Sequence, residues 1–368
     1  MTKSRANATA EAAKGDLRAG SGTNTTTILP VGADGTTLVA NSANSSGLGW
    51  NQNFAAGKNK ILNSDYSIWQ RGTSFTVTGQ FAYTADRWQS ITDGTTTVSQ
   101  QAFTAGSAPV AGYESQYFLR YAHTATPTAG SYWTLQNKIE DVRTYAGQTV
   151  NLSFWAKVAS GVTQSVSLVQ SFGTGGSSDV TTSLTSPTLT TSWARYSMSV
   201  TLPSITGKTI GAGSYLAVSF NGGSTAITLD LWGVQLEAGS VATAFQTATG
   251  TIQQELAACQ RYYFRSVSTS SYGWFGSGMA ANGSSTSIGI PAPVTMRVVP
   301  TSVDFSTLCL VDAVTATAVT SCTIDSNVSS NSFGVVTAGV ASGLTQYRPY
   351  YLRQNANNAG YIGFSAEL

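Results

Sequence analysis

Polar and apolar residues alternate over long stretches of this chain. In TVNLSFWAKVA, Val150, Leu152, Phe154, Ala156 and Val158 share one face, and Asn151, Ser153, Trp155 and Lys157 share the other. Alternation with a period of two marks a strand buried on one side. SWARYSMSVTL repeats the pattern with Ala194, Tyr196, Met198, Val200 and Leu202, and YLAVSF and AITLDLWGVQLE follow it. Turn-forming clusters such as GTGGSSD and PSITGKTIGAGS lie between them. Many short strands, each about ten residues from the next turn, predict an all-β fold, with a jelly-roll β-sandwich over residues 58–247.

Three stretches depart from this rhythm. Residues 15–50, GDLRAGSGTNTTTILPVGADGTTLVANSANSSGLGW, are small and hydroxylated with scattered Ile, Leu and Val. They cannot bury enough apolar surface for a core, and their Gly and Asn steps predict tight turns between very short strands. We read residues 1–57 as an arm and an extended connector, with a hinge over residues 54–60. GTIQQELAACQRYYFRS is the one good helical stretch: Ile252, Leu256, Cys259 and Tyr263 recur at three- and four-residue steps. It predicts a linking helix within residues 248–265. Residues 266–368 return to β-type patterning and predict a small C-terminal β-domain, or tip.

Only 10% of the residues are charged while 41% are hydrophobic, so the surface must be built from Ser, Thr, Asn, Gln and Gly. Such a surface suits contact with sugars or a locked oligomer. The net charge of +2 comes from scattered Lys and Arg, with no basic run for nucleic acid. No apolar stretch approaches the roughly 18 residues that span a membrane. The N-terminal residues lack the apolar segment of a signal peptide, which suggests assembly in a cytoplasm. Three cysteines are too few for a disulfide framework. Cys309 and Cys322 are candidates to face each other across a hairpin, and Cys259 reads as a small buried residue.

Catalytic chemistry finds little footing. A chain with one histidine, His123, cannot assemble a multi-histidine metal site, and we read His123 as structural. The glycine-rich residues 173–178 follow a strand and lead into no helix, so they read as a hairpin loop. Glu140 and Asp141 are adjacent and face opposite ways in a strand, whereas a glycosidase needs two carboxylates flanking one bond. The expectation is a protein that is not an enzyme.

Aromatic residues are the better lead, because sugars present flat C–H faces to indole and phenol rings. Trp155 with Lys157, and Trp193 with Arg195, lie on the polar faces of their strands. Two readings stay open: solvent-facing platforms, or an outer face covered by a loop or a neighbouring subunit, which we prefer. In SSYGWFGSG, Tyr272, Trp274 and Phe275 stand amid Gly and Ser as a binding loop or a subunit contact.

Residues 15–50 resemble the N-terminal connector of bacteriophage tail and head fibres in the order Gly-Asp-Leu, Leu-Pro-Val-Gly-Ala-Asp-Gly, Gly-Leu-Gly-Trp. KNKILNSDYSIWQRGTSFTVTGQFAYTADRWQ, then LSFWAKVASG, SWARYSMSVTLPS and LDLWGVQLEAGSVATAFQ, resemble in order a phage fibre domain related to galactose-binding-like carbohydrate-binding modules. Ser64 stands where Gly is usual and Tyr66 where Phe is usual. ELAACQRYYFRS and GIPAPVTMRVVPTSVDFS are similar to later stretches of such fibres. The resemblance implies a homotrimeric virion fibre, held to another virion protein through residues 1–57 and binding host surface polysaccharide. It makes Trp69, Arg71, Asp86, Arg87 and Trp88 a structural signature, with an Asp86 contact to Arg71 or Arg87 locking the first loop. It also implies a structural calcium at Asp65 or Asp230, and no other cofactor. Two rival readings are a decoration or head-fibre protein without a ligand and a glycan-degrading spike.

Overall fold

A computed structural model describes residues 13–33, 36–52, 57–110, 113–126 and 130–368. The arm expected over residues 2–14 lies outside these apart from its last two residues, as do residues 54–56 of the expected hinge.

The connector forms two hairpins. Strand β1 (Leu17–Gly22) pairs with β2 (Thr25–Leu29), and β3 (Thr36–Ala40) pairs with β4 (Leu48–Gln52). Among their described residues only Ala19 and Gly49 are buried. Local bonds stand in for a core: the Asp16 carboxylate accepts from Val31 N–H at 3.0 Å, and Trp50 Nε1 donates to Pro30 O at 2.7 Å.

The next strands are β5 (Ser74–Tyr83), β6 (Trp88–Ala102), β7 (Tyr117–Thr124), β8 (Trp133–Glu140), β9 (Thr149–Val158), β10 (Val162–Thr163), β11 (Ser165–Ser171), β12 (Val180–Ser183), β13 (Thr188–Leu189), β14 (Ala194–Thr201), β15 (Tyr215–Gly222) and β16 (Ile227–Ala238). Apart from the small β10–β13 pair, they form one antiparallel sheet in the order β12-β11-β15-β8-β6-β7-β16-β9-β14, with β5 beside β6. The sheet curls into two layers because β6 serves both. Its first half pairs with β8 through Trp88–Thr92, and its second with β7 through Thr95–Ala102. The switch falls at Gly94, where a Cβ would meet Thr126 Cγ2 at 2.2 Å. From β7 to β16 the chain crosses between layers at each main step: β7, β9, β14 and β16 lie in one, and β8, β11 and β15 in the other. This is the jelly-roll sandwich that the alternation predicts. Its core is aromatic, with Phe154 of β9 edge-on to Phe220 of β15 at 5.0 Å, and Tyr121 of β7 against Trp133 of β8 at 4.8 Å.

Helix α1 (Ile252–Gln260) begins where Thr251 adopts extended backbone and its hydroxyl accepts from Gln254 N–H. It buries Glu255 and Cys259, while Ile252 and Leu256 of the expected apolar stripe are exposed. Tyr263, the last residue of that stripe, belongs to a strand. The chain continues as β17 (Tyr263–Val267), β18 (Trp274–Asn282), β19 (Ser285–Pro291), β20 (Ser302–Ser306), β21 (Leu308–Val311), β22 (Ala316–Ile324), β23 (Phe333–Val340), β24 (Pro349–Gln354) and β25 (Tyr361–Ser365). Six of them close into a barrel, β18-β19-β23-β22-β21-β24, and β17-β25-β20 make a separate sheet. Closure pairs every strand and leaves no open edge. Ile288, Leu310, Val336 and Leu352 fill the interior.

Cys309 lies opposite Ala318, and Cys322 opposite Ala338, so the two cysteines do not face each other across the hairpin. All three cysteines are free and buried. Among the described residues no helix is long and apolar enough to cross a membrane.

Candidate functional site

The barrel carries an exposed aromatic platform. PYYLRQ alternates along β24: Tyr350, Leu352 and Gln354 turn inward, while Tyr351 and Arg353 turn outward. Strand β18 runs alongside with Trp274 directly opposite Arg353. The Trp274 indole stacks on Tyr351 with centroids 4.2 Å apart and an 18° interplanar angle, yet remains 64% exposed. The Arg353 guanidinium lies over the ring of the exposed Tyr272, 4.8 Å from its centroid. Trp274, Tyr351 and Arg353 border a cavity of about 390 Å³ that is also lined by the turn Val311–Ala316. In that turn the Asp312 carboxylate accepts from Val314 N–H (2.8 Å) and Thr315 N–H (2.6 Å) and pairs with Arg348 at 3.2 Å. The Thr315 and Val314 N–H groups hold its carboxyl below the usual carboxylate value.

The sequence thus singled out half of this platform. Tyr272 and Trp274 belong to it. Phe275 does not: it is next along β18, so the strand pleat turns it into the barrel, where it is 9% exposed. Tyr351 and Arg353, about eighty residues downstream, were missed. Their signal was the alternation of PYYLRQ, which places an aromatic and a cation on one outer face.

Trp155 is buried and Trp193 half-buried under other parts of the same chain. The outer face of β9 and β16 is roofed by the segment after β6, through Phe103, Val110 and Tyr113, and by Phe245. Trp155, 8% exposed, packs edge-on against Trp232 at 5.3 Å and Phe245 at 6.1 Å. Trp193 packs against Phe118 and Phe103 at 5.3 and 5.4 Å. Arg195 covers the Trp155 ring at 4.5 Å and donates to Ser153 Oγ and Thr243 O. Lys157 lies 5.3 Å over Trp193 and 3.6 Å from Asp230. All four are occupied in holding the roof down.

The carboxylates proposed for calcium do not fit that ion. Asp230 is gripped by Arg120 through Nε and Nη2 at 2.7 and 2.8 Å, with Lys157 beside it, so two cations already meet its charge. Asp65 accepts from Ser67 and, at 3.5 Å, from Tyr113, and burial raises its pKa. Calcium needs six to eight oxygens, and among the described residues no group of three or more His, Cys, Asp or Glu side chains is placed to hold a metal ion.

Asp65 does line the wall of a cleft of about 550 Å³, with Tyr113, Glu114, Tyr117 and Ile252. A smaller adjoining cavity of about 120 Å³ is bordered by both Asp65 and Glu255. Glu255 is fully engaged, accepting from Asn63 N–H at 2.7 Å and from the Thr249 N–H and hydroxyl at 3.2 and 2.6 Å. His123 is 3% exposed and bonds Thr96 at 3.1 Å through Nδ1, while its Nε2 has no partner.

The signature residues build the joint between sandwich and barrel. Trp88 is fully buried against Tyr66 and donates to Asn63 O at 3.1 Å. Trp69 stacks on Phe75 and donates to Tyr66 O at 2.7 Å. Asp86 meets Arg71 at 3.5 Å, and the second carboxylate in the cluster is Glu367, near the far end of the barrel sequence. Arg71 reaches Glu367 at 3.2 Å, and Arg87 pairs with its other oxygen. The two guanidinium groups each lie 3.5 Å over a ring, Arg71 over Tyr263 and Arg87 over Tyr262.

No protein-family model matches this chain, and no curated protein matches it either. Several solved structures are similar in part. One is the enzymatically active domain of tailspike protein 4 of bacteriophage CBA120, 16% identical over 50% of this chain and 22% of the tailspike, with a TM-score of 0.30. The chain thus spans about a fifth of that protein's length. Another is a family 11 carbohydrate-binding module of Clostridium thermocellum in complex with a mixed-linked tetrasaccharide, 13% identical over 42% of this chain and 90% of the module, TM-score 0.29. A third is the xylan-binding domain CBM22-1 of Paenibacillus barcinonensis Xyn10C, 13% identical over 51% of this chain and all of that domain, TM-score 0.30. At these scores the likenesses carry no argument, and the functional reading rests on this chain's own residues.

Proposed function

We propose that this chain is a non-enzymatic virion fibre protein that binds bacterial surface glycans through the barrel platform. The observation that carries the glycan reading is Trp274 stacked on Tyr351, held open to solvent beside a cationic side chain and a cavity. Indole and phenol rings so placed suit the C–H face of a sugar, and Arg353 and the Asp312 turn supply polar groups around its rim. The resemblance of residues 15–50 to fibre connectors supports anchorage to a particle. So do the hairpins themselves, because isolated two-stranded hairpins with almost no buried side chains are marginal alone and gain stability by docking. The low charge and the resemblance support a homotrimer, in which three weak sites would act together.

The test is binding of the purified protein to intact cells and to their extracted polysaccharide, with polysaccharide chain length followed over time. The expected result is saturable binding, unchanged chain length, and loss of binding in Trp274→Ala. Shortened chains would overturn the non-enzymatic reading. Absence of binding by a folded protein would point to a decoration protein instead. The shared Asp65–Glu255 cavity is the one observation favouring hydrolysis, and the hydrogen bonds that occupy Glu255 weigh against it.

A further inference from the structure

We infer that the platform selects anionic saccharides, with a sugar ring on Trp274 and Tyr351 and a sugar carboxylate on Arg353. This deepens the glycan-binding reading and rests on it. Charge bookkeeping at the site carries the inference. Asp312, the carboxylate in the cavity wall, is already matched by Arg348 and by two backbone N–H groups. Arg353 has no such match: it makes no ion pair among the described residues, and its Nε is buried without an acceptor. The platform therefore presents one uncompensated positive charge. That charge is placed by the fold: Trp274 is its cross-strand neighbour, and Tyr351, two residues away, shares its side of β24.

A guanidinium offers a planar fork that matches a carboxylate, and a stacked ring beside it fixes where that carboxylate must hang. A neutral sugar can use the rings but leaves the guanidinium charge without an anion, whereas an anionic sugar supplies one. The sandwich cleft is opposite in character, since its charged wall residues are Asp65 and Glu114. An acidic glycan is thus directed to the barrel and away from the cleft. A second copy of this chain seated on the same rings is the competing occupant.

The experiment titrates the full chain with an oligogalacturonate and with a neutral galactan oligosaccharide of equal length, at low and high salt. Wild type is compared with Trp274→Ala, Arg353→Gln and Arg353→Lys, each checked for folding by circular dichroism. We expect wild type to prefer the acidic oligosaccharide by about tenfold or more, with the preference shrinking as salt rises. Trp274→Ala should lose both ligands, Arg353→Gln only the preference, and Arg353→Lys should keep part of it. Equal binding of both sugars, untouched by Arg353→Gln, would overturn the anionic selectivity and leave glycan binding standing. If neither sugar binds and Trp274→Ala leaves cell attachment unchanged, both readings fall. Self-association that Trp274→Ala abolishes, without sugar binding, would assign the face to a second copy and overturn the inference.

Discussion

Asp86 is buried beside Arg71, with Gln70 donating to it through its backbone N–H (3.2 Å) and side-chain amide (3.0 Å). Burial outweighs these partners and raises its pKa from 3.8 to about 6. An acid whose folded pKa is raised holds its proton more tightly in the folded protein than in the unfolded chain. Stability from this group is therefore greatest at low pH and falls as pH climbs between about 4 and 6. The charge remains as a cost above that window. In Asp86→Asn the group no longer titrates, and the other carboxylates are common to both proteins, so their contributions cancel. We expect denaturant unfolding to show wild type losing on the order of 2 kcal/mol relative to the variant between about pH 4 and pH 7. A stability difference that stays flat, or changes the other way, would show that Arg71 compensates the charge in full. The resemblance offered Arg71 or Arg87 as the partner of Asp86, and the structure pairs it with Arg71. Glu367 was not legible, since it lies 280 residues beyond Arg87 and in no motif.

At the scale of the element, alternation was readable wherever one face of a strand met the core, as in β9, where Val150, Leu152, Phe154, Ala156 and Val158 all turn inward. It could not report on the opposite face, because polar and aromatic residues there look alike whether they meet water or a roof. Trp155 illustrates this: beside Asn151, Ser153 and Lys157 it fits a solvated face as well as the covered one we prefer, and only the fold shows Trp232, Phe245 and Arg195 enclosing the indole. The roof comes from loops whose own sequences carry no strand period, so only the folded chain brings them together. Barrel closure was likewise beyond pattern reading, since six short strands carry no mark of which edges meet. Trp155 is therefore a packing residue, and Trp155→Ala should destabilise the sandwich by about 3–5 kcal/mol. It should leave glycan binding at the barrel unchanged below the unfolding temperature. Thermal denaturation and a binding titration on one sample separate these effects. A loss of affinity in a folded Trp155→Ala protein would return the sandwich face to the binding site.

The whole molecule depends on how the two β-bodies are joined. Arg87 is 1% exposed, sandwiched between Glu367, the Lys138 carbonyl at 2.5 Å and the ring of Tyr262. The same joint depresses the Lys138 amine to about 8, chiefly by burial and then by the neighbouring Arg87 charge. The anions that balance this cationic cluster are Asp86 and Glu367, the latter sent in by the segment after β25. In the proposed fibre, load on the barrel would pass through this contact, although the joint touches no ligand. Glu367→Gln leaves Arg87 buried without its anion, and breaking one partner of a buried pair costs about 3–5 kcal/mol. Because the cost falls on the joint and not on either core, we expect calorimetry to resolve one cooperative transition into two, one for the sandwich and one for the barrel. Sugar binding at the barrel should persist in the variant at low temperature, since Trp274, Tyr351 and Arg353 belong to β18 and β24 alone. Pairing Glu367→Gln with Arg87→Met removes the stranded charge and should recover part of the lost stability without restoring the single transition. If Glu367→Gln unfolds in one step at the wild-type midpoint, the two bodies are coupled by something other than this ion pair.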